Sequence, residues 1–191
     1  MLEFIIPISL GIGLSAATGI RVFLPLFLIS LYKYYEGHLF MEYFNWLDSV
    51  PVMITLGVAT IIEISSYYIP VVDHALDVIS APVSFLAGSI TMISTLPDMP
   101  SYINAILGLI IGGTTAVGMT SIMGFTRAKV SLTSIGSANF LFSTIEIFLS
   151  GILTLLSFLV PIFIAIFCLI LLVFSVRRIR QYMLKNSYKS N

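Results

Sequence analysis

A chain of 191 residues with 58% hydrophobic and only 9% charged side chains departs sharply from water-soluble domains, which carry about 25% charged residues. Its mean hydropathy of +1.06 points the same way, to an all-α polytopic membrane protein forming a single transmembrane domain over 1–191. A formal net charge of zero excludes nucleic acid as an electrostatic partner, and one cysteine, Cys168, excludes a disulfide within the chain.

The opening "MLEFIIPISLGIGL" places an acid where a secretory leader carries a basic region, and its apolar run continues past any cleavage point. The first segment therefore reads as a retained span, 4–32. About 20 mostly apolar residues cross a bilayer core of ~30 Å, and five further stretches qualify: 51–69, 79–97, 103–125, 137–158 and 160–177. About six transmembrane helices are expected, because helices satisfy their own backbone in lipid.

The first span holds Arg21 deep in its apolar run. A charge inside the hydrocarbon layer costs at least ~2.5 kcal/mol and is normally paired or turned toward a polar cavity. Glu63, in "TIIEISS", and Glu146, in "STIEIFLS", are the expected counter-ions. A local helix break between Gly19 and Pro25 would let backbone groups line such a cavity. Arg21 can neutralise only one carboxylate well, which leaves the other to take up a proton or a cation.

After Glu63 the chain reads "EISSYYIPVVDHALDVISAP". Asp73 and Asp77 stand four apart, on one face if 72–79 is helical. Pro70 and Pro82 fence this stretch, predicting a short turn or interfacial helix ahead of the third span. Carboxylate oxygens suit protons and hard cations such as Mg²⁺; which ion is left open, and His74 reads as a solvated loop residue.

Basic residues set the direction. The ending "SVRRIRQYMLKNSYKSN" makes a basic tail over 178–191, continuing from Arg177, that should be cytoplasmic. Counting back, Arg127 and Lys129 fall in a cytoplasmic loop, and the loop with Lys33, Glu36, Glu42 and Asp48 falls outside. Seven of the nine Lys and Arg residues then lie inside, giving a multi-pass protein of the cell (plasma) membrane with both termini cytoplasmic.

An internal repeat accounts for the two glutamates. Residues 51–69 laid over 134–152 bring Glu63 onto Glu146, and "GIGLSAATGIR" over "GLIIGGTTAVG" brings Thr18 onto Thr115. Each half, 4–97 and 103–177, would hold three spans, so the second copy is inverted in the membrane. Inverted repeats recur in secondary transporters, whose sites lie where Gly- or Pro-interrupted segments of the two halves meet. Small residues and hydroxyls in those segments also suit tight helix packing.

The stretches "SAATGIRVFLPL", "EISSYYIPVVDHALDVISAPVSFLAG" and "SANFLFSTIEIFLS" resemble the bacterial and archaeal membrane proteins grouped as domain of unknown function 4126. The spacing of Glu63, Pro70, Asp73 and Asp77 carries the resemblance, with Arg21, Pro25 and the Ser143/Glu146 pair. The chain differs from that pattern at Ser66, Tyr67 and Tyr68, at Ala81 and at Ile147. The resemblance implies an architecture and candidate positions and names no substrate.

No HExxH, GxSxG or phosphate-loop motif is present, so no enzyme and no cofactor are expected. The leading expectation is a small secondary transporter or ion-conducting protein, its partners the lipid bilayer and a small ion or solute. Its candidate binding residues are Glu63, Glu146, Arg21, Asp73, Asp77, Thr18 and Thr115. A lipid-handling, scramblase-like protein and a non-transporting membrane helper are the alternatives, and a homodimer is one way for six helices to enclose a pathway.

Overall fold

The computed structural model describes residues 2–36, 47, 49–66, 69–97, 99–134 and 139–187, and all regular structure among them is helical. The elements in chain order are α1 (Leu2–Ile20), α2 (Phe23–Glu36), α3 (Val50–Ser66) and α4 (Pro70–Thr95). A helical run without interruption follows: α5 (Ser101–Leu107), a π-helical segment (Gly108–Gly113) and α6 (Thr114–Ser134). Then come α7 (Asn139–Leu159) and α8 (Pro161–Ser187).

Prolines punctuate the chain. Pro51, Pro70 and Pro161 sit in the first turns of α3, α4 and α8, where a missing N–H costs nothing. Ile69, ahead of Pro70, is extended at φ −107° and ψ 110°, as the residue before proline prefers. Pro25 decides more. In a continuous helix it would have to bond the Arg21 carbonyl, which it cannot do, and its ring would collide there. The expected span 4–32 is therefore two helices, with Arg21 and Val22 in the non-helical break between them.

Two other expectations are corrected. The stretch 72–79 is not a separate helix, because α4 runs continuously through Pro82 to Thr95. Arg127 and Lys129 do not lie in a loop: α6 carries both, since no Gly or Pro follows Gly124 to stop it before Ser134. The loop charges Glu42 and Asp48 lie outside the described residues, as do the side chains of Glu36, Asp73, His74 and Asp77.

Among the described residues, three helical stretches are long and apolar enough to cross a membrane: Ser101–Val130, Leu141–Leu159 and Pro161–Arg178. Phe4–Ile20, Val50–Ser66 and Ile79–Thr95 are apolar but shorter. α7 and α8 expose rows of large apolar side chains such as Phe148, Leu155, Phe163 and Phe167. By contrast, every residue from Ser9 to Val22 is buried. α1 is thus the axis of the molecule, packed by α4, α6, α7 and α8.

Small side chains make that crowding feasible, since they let backbones approach. A methyl group added at Gly19 would overlap the Ala116 carbonyl of α6, and Gly88 of α4 meets the backbone of Gly112 in the π segment. Around these contacts Ile12, Ala16 and Ile20 of α1 form a core with Met119, Leu153 and Ile164. Hydroxyls add directional ties: Ser15 Oγ donates to the Gly88 carbonyl at 2.9 Å, and Ser150 Oγ to the Ala17 carbonyl at 3.1 Å.

Candidate functional site

Breaking a helix inside an apolar assembly leaves carbonyls at one end and amides at the other without intrahelical partners. On the α1 side, Thr120 Oγ1 of α6 donates to the Gly19 carbonyl at 2.7 Å, and Ala17 is served by Ser150 and by the Arg21 N–H. On the α2 side the partner is Glu63. Its Oε1 accepts the Val22 N–H at 2.8 Å and its Oε2 the Phe23 N–H at 3.0 Å. A carboxylate from α3 therefore caps the first turn of α2, at the positive end of that helix's dipole.

Arg21 emerges at the opposite, negative end, where α1 terminates, and its side chain is wholly buried. Its Nη2 donates to Glu146 Oε2 at 2.7 Å and to the Ser143 carbonyl at 3.2 Å. Arg127 Nη2 of α6 donates to the same Glu146 oxygen. Glu146 on α7 is thus the shared anion of a buried Arg–Glu–Arg triad, with side-chain exposures of 0%, 2% and 8% for Arg21, Glu146 and Arg127. Among the described residues, the cluster with Glu63 holds two cations and two carboxylates.

A cavity of about 310 Å³ lies beside this cluster. Glu63, Glu146 and Arg127 reach its wall together with Ser80, Ser84 and Thr120. A second cavity of about 320 Å³, lined by Phe23, Ala59, Ile62, Leu76, Ile79 and Val83, is almost wholly apolar. The two share Val22, Glu63 and Ser80. Glu63 therefore stands between a polar chamber and an apolar one.

Of the residues singled out in the sequence, Arg21, Glu63 and Glu146 converge here. Thr18 is buried, but its hydroxyl donates to the Ser15 carbonyl of its own helix at 2.8 Å. Thr115 is buried too, and neither threonine lines the cavity. Asp73 and Asp77 belong to the first turns of α4, and their side chains are outside the described residues. Among the described residues, no three His, Cys, Asp or Glu side chains stand together as a metal centre would require.

Sequence reasoning missed Arg127. The signal was the lack of any helix breaker between Gly124 and Ser134, which carries the fourth apolar segment beyond its apolar limit and takes Arg127 inward with it. Ser80, Ser84 and Thr120 were missed as well. They are ordinary helix residues in sequence, and only the crossing of α1, α4 and α6 gathers them.

The chain belongs to the family described as domain of unknown function, DUF4126, matching it over residues 8–181. None of the curated proteins and none of the solved structures matches the chain.

Proposed function

We propose that this member of the DUF4126 family is a small secondary transporter or ion-conducting protein of the plasma membrane, in which Glu63 takes up a proton or a small cation. The carrying observation is that Glu63 caps the broken first span while bordering the polar cavity. Broken helices whose ends meet charged groups are a recurring device for ion and solute sites in transporters.

A proton or cation on Glu63 competes for the same oxygens that hold the Val22 and Phe23 amides. Occupancy therefore loosens the first turn of α2, while the Arg21–Glu146–Arg127 triad holds α1, α6 and α7 together. A capped and an uncapped α2 are the two states that ion binding would select between. In this reading α1 with α2 makes one interrupted span, and α3, α4, the α5–α6 run, α7 and α8 make the others, with both termini cytoplasmic. Halves 4–97 and 103–177 are read as inverted repeats, supported by both glutamates reaching one cavity.

The test is flux in proteoliposomes carrying a pH or cation gradient. Wild-type protein should move protons or cations, and Glu63→Gln should abolish this while eluting as folded protein. Unchanged flux in Glu63→Gln, or no flux for the wild type under any gradient, overturns the reading.

A lipid-handling function is favoured by one observation, the apolar cavity that shares Glu63 and Ser80 with the polar one. An amphipathic lipid could place its head in one and a chain in the other. Reconstitution with head-group-labelled phospholipid separates the two readings: lipid exchange between leaflets without ion flux supports the second.

A further inference from the structure

A different pair of clefts lies on the α6 and α8 side of the molecule. Lys129 of α6 and Arg178 of α8 line one cleft of about 450 Å³, along with Phe125, Thr126, Phe174 and Ser175. The two cations are held over aromatic rings: Lys129 Nζ stands 4.3 Å from the centroid of Phe125, and the Arg178 guanidinium 5.2 Å from that of Phe174. Among the described residues, no carboxylate lines the cleft. Two positive groups facing one hollow form a receptor for a phosphate-sized anion.

Phe174 also belongs to a second groove of about 350 Å³ lined by Leu169, Ile170, Val173 and Arg177. From Arg178 back to Leu169 the helix covers about 14 Å at ~1.5 Å per residue. The surface along it passes from cationic to wholly apolar, and Ile170, Val173 and Phe174 are all more than half exposed. This matches the sequence of charges and hydrocarbon in one half of a phospholipid.

We propose that the α6–α8 cleft binds one anionic phospholipid, its phosphate between Lys129 and Arg178 and an acyl chain along Leu169, Ile170 and Val173. The inference rests on the membrane reading but not on the transport reading, since neither cation and no residue of the apolar groove borders the Glu63 cavity, which the cleft meets at Phe125. A soluble phosphate would use the cations and leave the apolar groove bare, so the lipid is the occupant that accounts for both hollows.

Native mass spectrometry of the full-length protein, offered equal amounts of phosphatidylglycerol and phosphatidylcholine with matched chains, tests it. The two cations should make retention of phosphatidylglycerol favoured by at least roughly tenfold. K129Q/R178Q should abolish the preference, whereas K129R/R178K should keep it. K185Q/K189Q removes the same charge from the tail and should leave it intact. V173W obstructs the apolar groove with both cations in place, and should lower phosphatidylglycerol retention severalfold even if the double glutamine variant does not fold. No preference in the wild type, equal loss in the tail variant, or full retention in V173W overturns the proposal.

Discussion

Glu63 and Glu146 occupy nearly the same words of sequence, "TIIEI" and "STIEI", and yet the fold treats them oppositely. Glu146 is gripped by two guanidinium groups from α6 and from the end of α1. Glu63 is met by two backbone amides and stands between two cavities. Two guanidinium groups carry fixed charges to Glu146; neutral amides at a helix end hold Glu63 only while its oxygens are free to accept. The first arrangement is a structural lock, and the second is the one that the proposed transport reading exchanges for a proton or an ion.

The comparison breaks most directly at Glu146. Replacing it with Leu removes the anion that two buried arginines share, and removing one side of a buried ion pair costs about 3–5 kcal/mol. A thermal melt of E146L in detergent should show a large loss of stability. If E63L lowers the melt as much, both glutamates are structural and the contrast fails.

R21M or R127M should cost less, about 1.5–3 kcal/mol each, because Glu146 keeps its other arginine. Coupling sharpens this: the E146L/R21M double variant should be less unstable than the sum of its parts, as groups sharing one network are non-additive. Additive melts would mean that the triad does not act as a unit.

E63Q should cost only about 1 kcal/mol, the scale of a weakened helix cap, since an amide oxygen can still accept one N–H. Its stability should fall slightly while ion flux disappears, a separation that E146Q, if it folds at all, should not display. The smallest effect is expected for T120V, which removes the hydroxyl bond to the Gly19 carbonyl and should cost about 0.5–1.5 kcal/mol. Loss of flux in T120V at near-normal stability would make the α1 end of the break functional too.

Much of the site could be read from sequence because its causes are local. An arginine in an apolar run needs a counter-charge, and few carboxylates are available to supply one. Pro25, three residues after Val22, removes the bond to the Arg21 carbonyl and so favours a break just ahead of it. The Arg127 assignment went wrong because positive-inside counting treats every arginine as a loop marker, and a buried carboxylate on another helix can outweigh that tendency. Pro82 misled for a related reason: a proline removes one bond from a helix, and packing of the flanking turns can keep the helix whole.

Composition alone determined that this chain is helical and strongly apolar, with charges so few that each one inside a span demands a partner. Propensity and proline chemistry act over a few residues, so the helices and the break at Arg21–Val22 follow from local sequence. Which carboxylate Arg21 takes, that Arg127 joins it and that Glu63 instead caps α2 were decided by tertiary structure. Those choices join residues separated by 125, 19 and 41 positions, and no local preference ranks them. They depend on how closely the small residues of α1 let α4, α6 and α7 approach, which is a property of packed backbones and not of any single segment.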